Sequence, residues 1–245
     1  MAHYLTIDQG NSVAKLALWE DDRLIKFSNE PVLNASVLEQ FAETREISAA
    51  LYCSVAVDGE GVVDELLSIT RRASRLNAST PVPVKIDYGT PSSLGADRIA
   101  AATGAYTVCA GFPVLVVDIG TAVTYDVVLA DGTFVGGNIA PGMKMRLDAL
   151  QRYTARLPRL DVPETVNHDE PMLGHDTVSA MLRGALFGIA GAVEYYRSRL
   201  PHETRVILTG GDARLVAPLC RIDVTVDEHL VSKGLNRILL YNEQL

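Results

Sequence analysis

Two short stretches of the chain set an acid, a glycine and small residues in the same order. One is Asp8-Gln9-Gly10-Asn11-Ser12 and the other is Asp118-Ile119-Gly120-Thr121-Ala122. Each follows an apolar run and precedes an alternating one, so each reads as a hairpin turn whose first strand ends on a carboxylate. Aligning Asp8 with Asp118 puts Leu5 on Leu115, Gly10 on Gly120 and Val13 on Val123. Anion binding is the chemistry such a turn suits. Glycine lets backbone N–H groups approach a phosphate, and hydroxyl or amide side chains add donors. An aspartate repels a phosphate, so it makes sense with a cation between them, and Asp8 is a candidate to hold magnesium directly or through water. Lys15 either reaches the same phosphate or is a solvated strand lysine. A single turn of this kind is equally an ordinary hairpin with a capping aspartate; its repetition turns the reading toward phosphate.

A third acid stands in a different setting. Gly95-Ala96-Asp97-Arg98 opens an alanine-rich segment, 95–110, that reads as a helix. An aspartate at a helix start complements the dipole. Held close to a hydroxyl, it can instead accept a proton. The planar fork of Arg98 suits a carboxylate, whether a ligand's or that of a neighbouring acid.

Positioning these residues falls to a repeated order of elements. Strands are expected at 4–8, 13–19 and 23–28, the last two joined by the acidic turn in "WEDDRLI". Helical patterning follows at 35–45 and 61–76, around a strand at 48–53, and a short strand at 83–87 precedes the helix at 95–110. The order then restarts, with strands at 114–118, 122–130 and 133–138 and the turn "ADGT". Helices at 143–154, 175–199, 212–220 and 231–243 and strands at 205–209 and 222–226 complete the set. Three strands followed by alternating helices and strands imply an α/β fold, a mixed sheet flanked by helices in each half. The expectation is an internal duplication with a cleft between halves 1–112 and 113–245, joined near "AGFP" at 110–113.

Composition narrows the function classes. The chain has 245 residues, 48% of them hydrophobic, enough for a sizeable core. A net charge of −8 disfavours nucleic acid as the main partner. Cys53, Cys109 and Cys220 are scattered, which suits neither a disulfide framework nor a zinc site, and they read as core thiols. The five histidines share no ligand spacing. The start Met-Ala-His-Tyr lacks a signal peptide's pattern, and the longest apolar stretch, 184–193, is short for a membrane span, so a cytoplasmic protein is expected.

The paired hairpins, with Gly210-Gly211 ending the strand of "VILTGGDARL", resemble the superfamily of actin, sugar kinases and heat-shock chaperone ATPases. That resemblance implies two ribonuclease-H-like halves, each a mixed five-stranded sheet flanked by helices, clamping ATP, with residues 210–211 on the adenosine side. Within it, Tyr88, Pro91, Gly95-Ala96-Asp97-Arg98, both hairpins, "GGNIAPGMKMRLDALQRYTARLP" at 136–158 and "TVSAMLRGALFGIAGAVE" are similar to type III pantothenate kinases, in order, from about residue 4 to residue 240. The implied activity is ATP-dependent phosphorylation of pantothenate to 4'-phosphopantothenate, the first step of coenzyme A synthesis. By resemblance Asp97 is the proton acceptor. Tyr88, Gly95, Ala96, Asp97, Arg98 and Thr177 contact pantothenate. Asp8, Gln9, Gly10, Asn11, Ser12, Val13, Ala14 and Lys15 form the first phosphate loop, and Thr121 contacts ATP. Asp118 is the ligand of a monovalent cation, potassium or ammonium, although physical reasoning does not separate potassium from magnesium at either aspartate. A homodimer with substrate near the subunit interface is also implied.

The chain departs from the family pattern at His175-Asp176, where many members have Arg-Asn, which puts local hydrogen bonding in question. Ser12 replaces a common threonine and keeps the hydroxyl. Two rivals stand beside this reading: a kinase of the same fold for another small alcohol, and a non-catalytic regulatory protein that retains the fold.

Overall fold

The computed structural model describes residues 2–11, 13–54, 60–167 and 171–245. In chain order the elements are β1 (His3–Gln9), β2 (Ala14–Glu20), β3 (Arg23–Glu30), α1 (Ala35–Ala42), β4 (Ile47–Ser54), α2 (Glu60–Ile69), β5 (Ala73–Arg75), β6 (Lys85–Ile86) and α3 (Ala96–Val108). The second series is β7 (Val114–Ile119), β8 (Ala122–Val128), β9 (Thr133–Pro141), α4 (Met143–Tyr153), α5 (Thr177–Ser198), β10 (Arg205–Thr209), α6 (Ala213–Val216), β11 (Thr225–Val226) and α7 (Leu230–Glu243).

Two mixed sheets result. The first has the order β3-β2-β1-β4-β5, with β1 antiparallel to β2 and parallel to β4. The second has the order β11-β10-β7-β8-β9-β6, with β7 antiparallel to β8 and parallel to β10. Both are α/β sheets of the mixed kind that the order of elements implies. The expected five strands hold for the first sheet, whereas the second has a sixth, because β6 pairs in parallel with Thr133 and Phe134 at the start of β9.

The chain forms two compact units. One comprises Met1–Ala110, Gly132–Phe134 and His229–Leu245; the other comprises Gly111–Asp131 and Val135–Glu228. The division falls near the expected joint, but α7 and the tip of the β8–β9 hairpin cluster with the first unit. In that unit, Leu5 and Ile7 of β1 and Leu16 and Leu18 of β2 pack with Leu38, Phe41 and Leu66 from α1 and α2. The strands are buried almost throughout, as expected when both faces of a sheet are covered. Trp19 donates from Nε1 to Thr6 Oγ1 at 2.9 Å, which satisfies both buried polar groups. Along α3 lies α7, with no side chain at Gly104 or Gly234 to hold the two backbones apart.

In the second unit, α5 is the longest helix, and by length and apolar composition it could cross a bilayer. Its Met181, Leu186, Ile189 and Val193 instead pack into a core with Leu115, Val117 and Leu208. Asp176 is its N-cap, accepting the Ser179 N–H at 3.0 Å, so the departure at residues 175–176 leaves a working helix start two residues later than expected.

Three other expectations change. The helix expected at 61–76 ends at Ile69, and Ala73–Arg75 is an edge strand parallel to β4. The turn is made by Thr70, whose Oγ1 donates to the Leu66 carbonyl at 2.8 Å. The helix expected at 212–220 is one short turn followed by a 3-10 turn, since Pro218 has no N–H to continue it. The strand expected at 222–226 is reduced to its last two residues.

A methyl group at Gly234 would lie 1.8 Å from the Ala100 carbonyl oxygen. Helix propensity favours alanine over glycine by about 1 kcal/mol, but the overlap forces two packed backbones apart, at a cost of about 1–3 kcal/mol. Gly234→Ala is therefore expected to lower the free energy of unfolding measured in urea, and a stabilised variant would contradict the packing of α7 on α3.

Candidate active site

In the first unit, β1 carries Asp8 to the end of its strand and the hairpin returns Lys15 to the position directly across the ladder. Lys15 Nζ lies 3.5 Å from Asp8 Oδ2. Asp8 is buried, and burial pushes its carboxyl above the ordinary carboxylate range, against the pull of the Lys15 charge and with a further upward push from Asp97. On its other side Asp8 neighbours Cys53 of β4 in the parallel register. The Cys53 thiol is fully buried and held well above its usual range by that burial, then by the charges of Asp8 and Asp97.

Asp97 is in the first turn of α3, half-buried, and its Oδ1 accepts the Arg98 N–H at 2.8 Å. Burial raises its pKa; the Arg98 backbone bond, the Arg98 charge and the Lys15 charge oppose the rise. A methyl group at Gly95 would come within 2.5 Å of Asp97 Oδ1, so glycine at the N-cap leaves the carboxylate its place. The sequence-expected residues Asp8, Lys15 and Asp97 are thus brought within electrostatic reach of one another. A cavity of about 810 Å³ opens beside this helix start, lined by Arg75, Asn77, Ser92, Ser93, Gly95 and Ala96.

Arg98 is buried, at 6% exposed. Its guanidinium carbon sits 5.6 Å from the Tyr88 ring centre and 5.7 Å from that of Phe134. Phe134 is fully buried and was not visible in the sequence as a site residue, because its partner strand β6 is only two residues long.

The turns themselves are closed by their own glycines. Gly10 N–H donates to the Val13 carbonyl and Gly120 N–H to the Ala122 carbonyl, both at 3.0 Å. Gln9 ends β1, Asn11 is exposed in the turn, Ala14 is buried, and Ser12 lies outside the described residues.

In the second unit, β7 carries Asp118, and the residue across the ladder is Thr124. This turn is one residue shorter than the first: Val123 pairs with Ile119, whereas Val13 lies within its turn. The sequence alignment of the two valines therefore does not hold in space. Gly210, at φ +90°, packs its Cα against Asp118, where an added methyl would meet Oδ1 at 2.4 Å and the Ile119 carbonyl at 2.5 Å. The Ile119 carbonyl accepts the Asp212 N–H at 3.1 Å, which ties the Gly210-Gly211 turn to the Asp118 turn. Burial raises the Asp212 carboxyl, a residue not singled out in the sequence. Thr121 is exposed, and its carbonyl accepts the Gly142 N–H at 3.0 Å. Thr177 is exposed at the start of α5.

A family model described as type III pantothenate kinase matches residues 4–199. A type III pantothenate kinase from Porphyromonas gingivalis strain W83 is 36% identical over 245 residues, covering 99% of this chain and 100% of the relative. Among solved structures, a conserved Baf family protein from Campylobacter jejuni, described as a transcriptional activator, aligns with TM-score 0.63 and 23% identity over 98% of this chain and 100% of that one. The activator of 2-hydroxyisocaproyl-CoA dehydratase from Clostridium difficile, solved with bound ADPNP, aligns with TM-score 0.57 and 9% identity over 99% and 98%. At these identities the two structures speak for the fold alone.

A carboxyl whose folded pKa is raised destabilises the fold as pH climbs. Stability is fully present below the unfolded value of about 3.9, falls as pH rises through the folded value, and carries the whole penalty at neutral pH. Asp97→Asn removes that penalty and keeps an oxygen for the Arg98 N–H. Without ligands, its melting temperature at pH 7 is expected to equal or exceed that of the wild type, the gap closing toward pH 4. A variant melting well below the wild type at pH 7 would contradict the burial of charge at Asp97.

Proposed function

Because the chain belongs to the type III pantothenate kinase family, we infer that it transfers the γ-phosphoryl group of ATP to the primary hydroxyl of pantothenate, the first step of coenzyme A synthesis. The observation that carries the chemistry is Asp97, a half-buried carboxylate at a helix start, coupled to Asp8 and Lys15. Phosphoryl transfer asks mainly for positioning and charge stabilisation. The pantothenate oxygen forms its bond to the γ-phosphorus, the bond from phosphorus to the ADP oxygen breaks, and Asp97 takes the hydroxyl proton. A carboxylate raised above its ordinary range by burial is a better acceptor than one in water.

Tyr88, Gly95, Ala96 and Arg98 of the first unit bind pantothenate in this reading, and Thr177 adds a contact from the start of α5. Residues 8 to 15 and Thr121 meet ATP. Asp8 fits magnesium as a single carboxylate would, since that ion keeps waters and phosphate oxygens in most of its coordination positions. By the family resemblance Asp118 takes a monovalent cation, potassium or ammonium; the residue across the ladder from it is Thr124. When bound, such ions offset phosphate charge. Among the described residues there is no group of three or more histidines, cysteines or acids to cage a metal, which is in keeping with ions held partly by substrate.

The family resemblance supports a cytoplasmic homodimer, with substrate near the subunit interface. Exposed Ile139, Met172, Leu173 and Val178 are apolar side chains that such a pairing would cover, and Val178 follows Thr177.

The test is ADP release by the purified protein with ATP, magnesium and pantothenate, in potassium and then in sodium. Pantothenate-dependent release that needs potassium is expected. Equal rates in both salts would remove the cation from Asp118 and leave the kinase standing. No release in either salt by the folded protein would overturn the kinase assignment in favour of the regulatory reading or another alcohol.

A further inference from the structure

We propose that Phe134 is a positioning residue for substrate recognition, holding Arg98 and Tyr88 in one orientation; the proposal rests on the pantothenate-binding role given above to those two residues. Arg98 is nearly removed from water, and a buried guanidinium needs something to replace its hydration. Two aromatic faces do part of this, with Tyr88 and Phe134 both within 6 Å of the guanidinium carbon. The rings also fix each other, with centroids 6.0 Å apart and planes tilted by 55°.

The backbone explains how this cluster is held. Lys85 N–H donates to the Gly132 carbonyl at 3.0 Å, and Asp87 N–H donates to the Phe134 carbonyl at 2.9 Å. The segment leading to Tyr88 is therefore pinned to the segment carrying Phe134. At the hairpin tip, the Cα of Gly132 lies against the ring of Tyr106 on α3, the helix that also carries Asp97 and Arg98. Phe134 thus joins the loop bearing Tyr88 to the helix bearing Arg98 and Asp97. Its ring is where those two polar side chains meet, and a branched aliphatic of similar bulk would fill the space without supplying a face for the guanidinium.

The experiment compares wild type, Phe134→Leu and Phe134→Tyr in ADP release, with melting temperature recorded for each. In Phe134→Leu the KM for pantothenate is expected to rise by about tenfold, the scale of a desolvated cation–aromatic contact, with kcat and the KM for ATP within about twofold. Phe134→Tyr, which keeps the ring, is expected to restore the pantothenate KM. A folded Leu variant with wild-type pantothenate KM would overturn the proposal. So would a Leu variant whose kcat and both KM values worsen together, or a Tyr variant as impaired as Leu. If the wild type itself releases no ADP with pantothenate, the functional reading fails, and this proposal with it; if only the variants deviate from expectation, the functional reading survives.

Discussion

Asp8 is buried and Asp97 half-buried, close enough for the Asp97 charge to act on Asp8, and the Lys15 charge lowers both. Burying like charges is unfavourable unless geometry compensates. Here the compensation comes from three places in the fold. The β1–β2 register sets Lys15 directly opposite Asp8, and a one-residue slip would turn it to the other face of the sheet. The first turn of α3 gives Asp97 a backbone N–H. Beside Asp8 on β4, the buried Cys53 thiol is pushed toward its neutral form and adds no third negative charge.

The second hairpin keeps the acid and the glycine but loses the lysine. Its turn is shorter by one residue, and Thr124 occupies the place opposite Asp118. The two hairpins therefore differ where the charge balance is set. Asp8 has the Lys15 ammonium across its ladder, and Asp118 has Thr124 across its own, beside the backbone of Gly210.

Much of this was legible in the residues. The apolar runs ending on Asp8 and Asp118 gave the hairpins, and the alanine-rich run after Gly95 gave α3 with Asp97 in its first turn. What escaped depends on tertiary partners. Residues 73–75 continue a helical pattern locally, and only pairing with β4 makes them a strand. The two residues of β6 carry too little pattern to say that they pair with β9, so neither the sixth strand nor the place of Phe134 beside Arg98 could be read. The docking of α7 on α3 depends on Gly104 and Gly234, whose spacing in sequence says nothing of their contact. The closure of each turn by its own glycine N–H was likewise hidden, since the same residues serve equally well in a phosphate cradle.

The central claim is that the Lys15 charge lowers the proton affinity of Asp8 and Asp97 against the burial that raises it. It is tested most directly by the pH dependence of kcat/KM for pantothenate, at saturating ATP, in the wild type and in Lys15→Met. Lys15 lowers both Asp8 and Asp97, so its loss raises them, and the acidic limb of the profile should move to higher pH. An acidic limb at the same pH in both proteins, with the variant folded and turning over, would contradict the account.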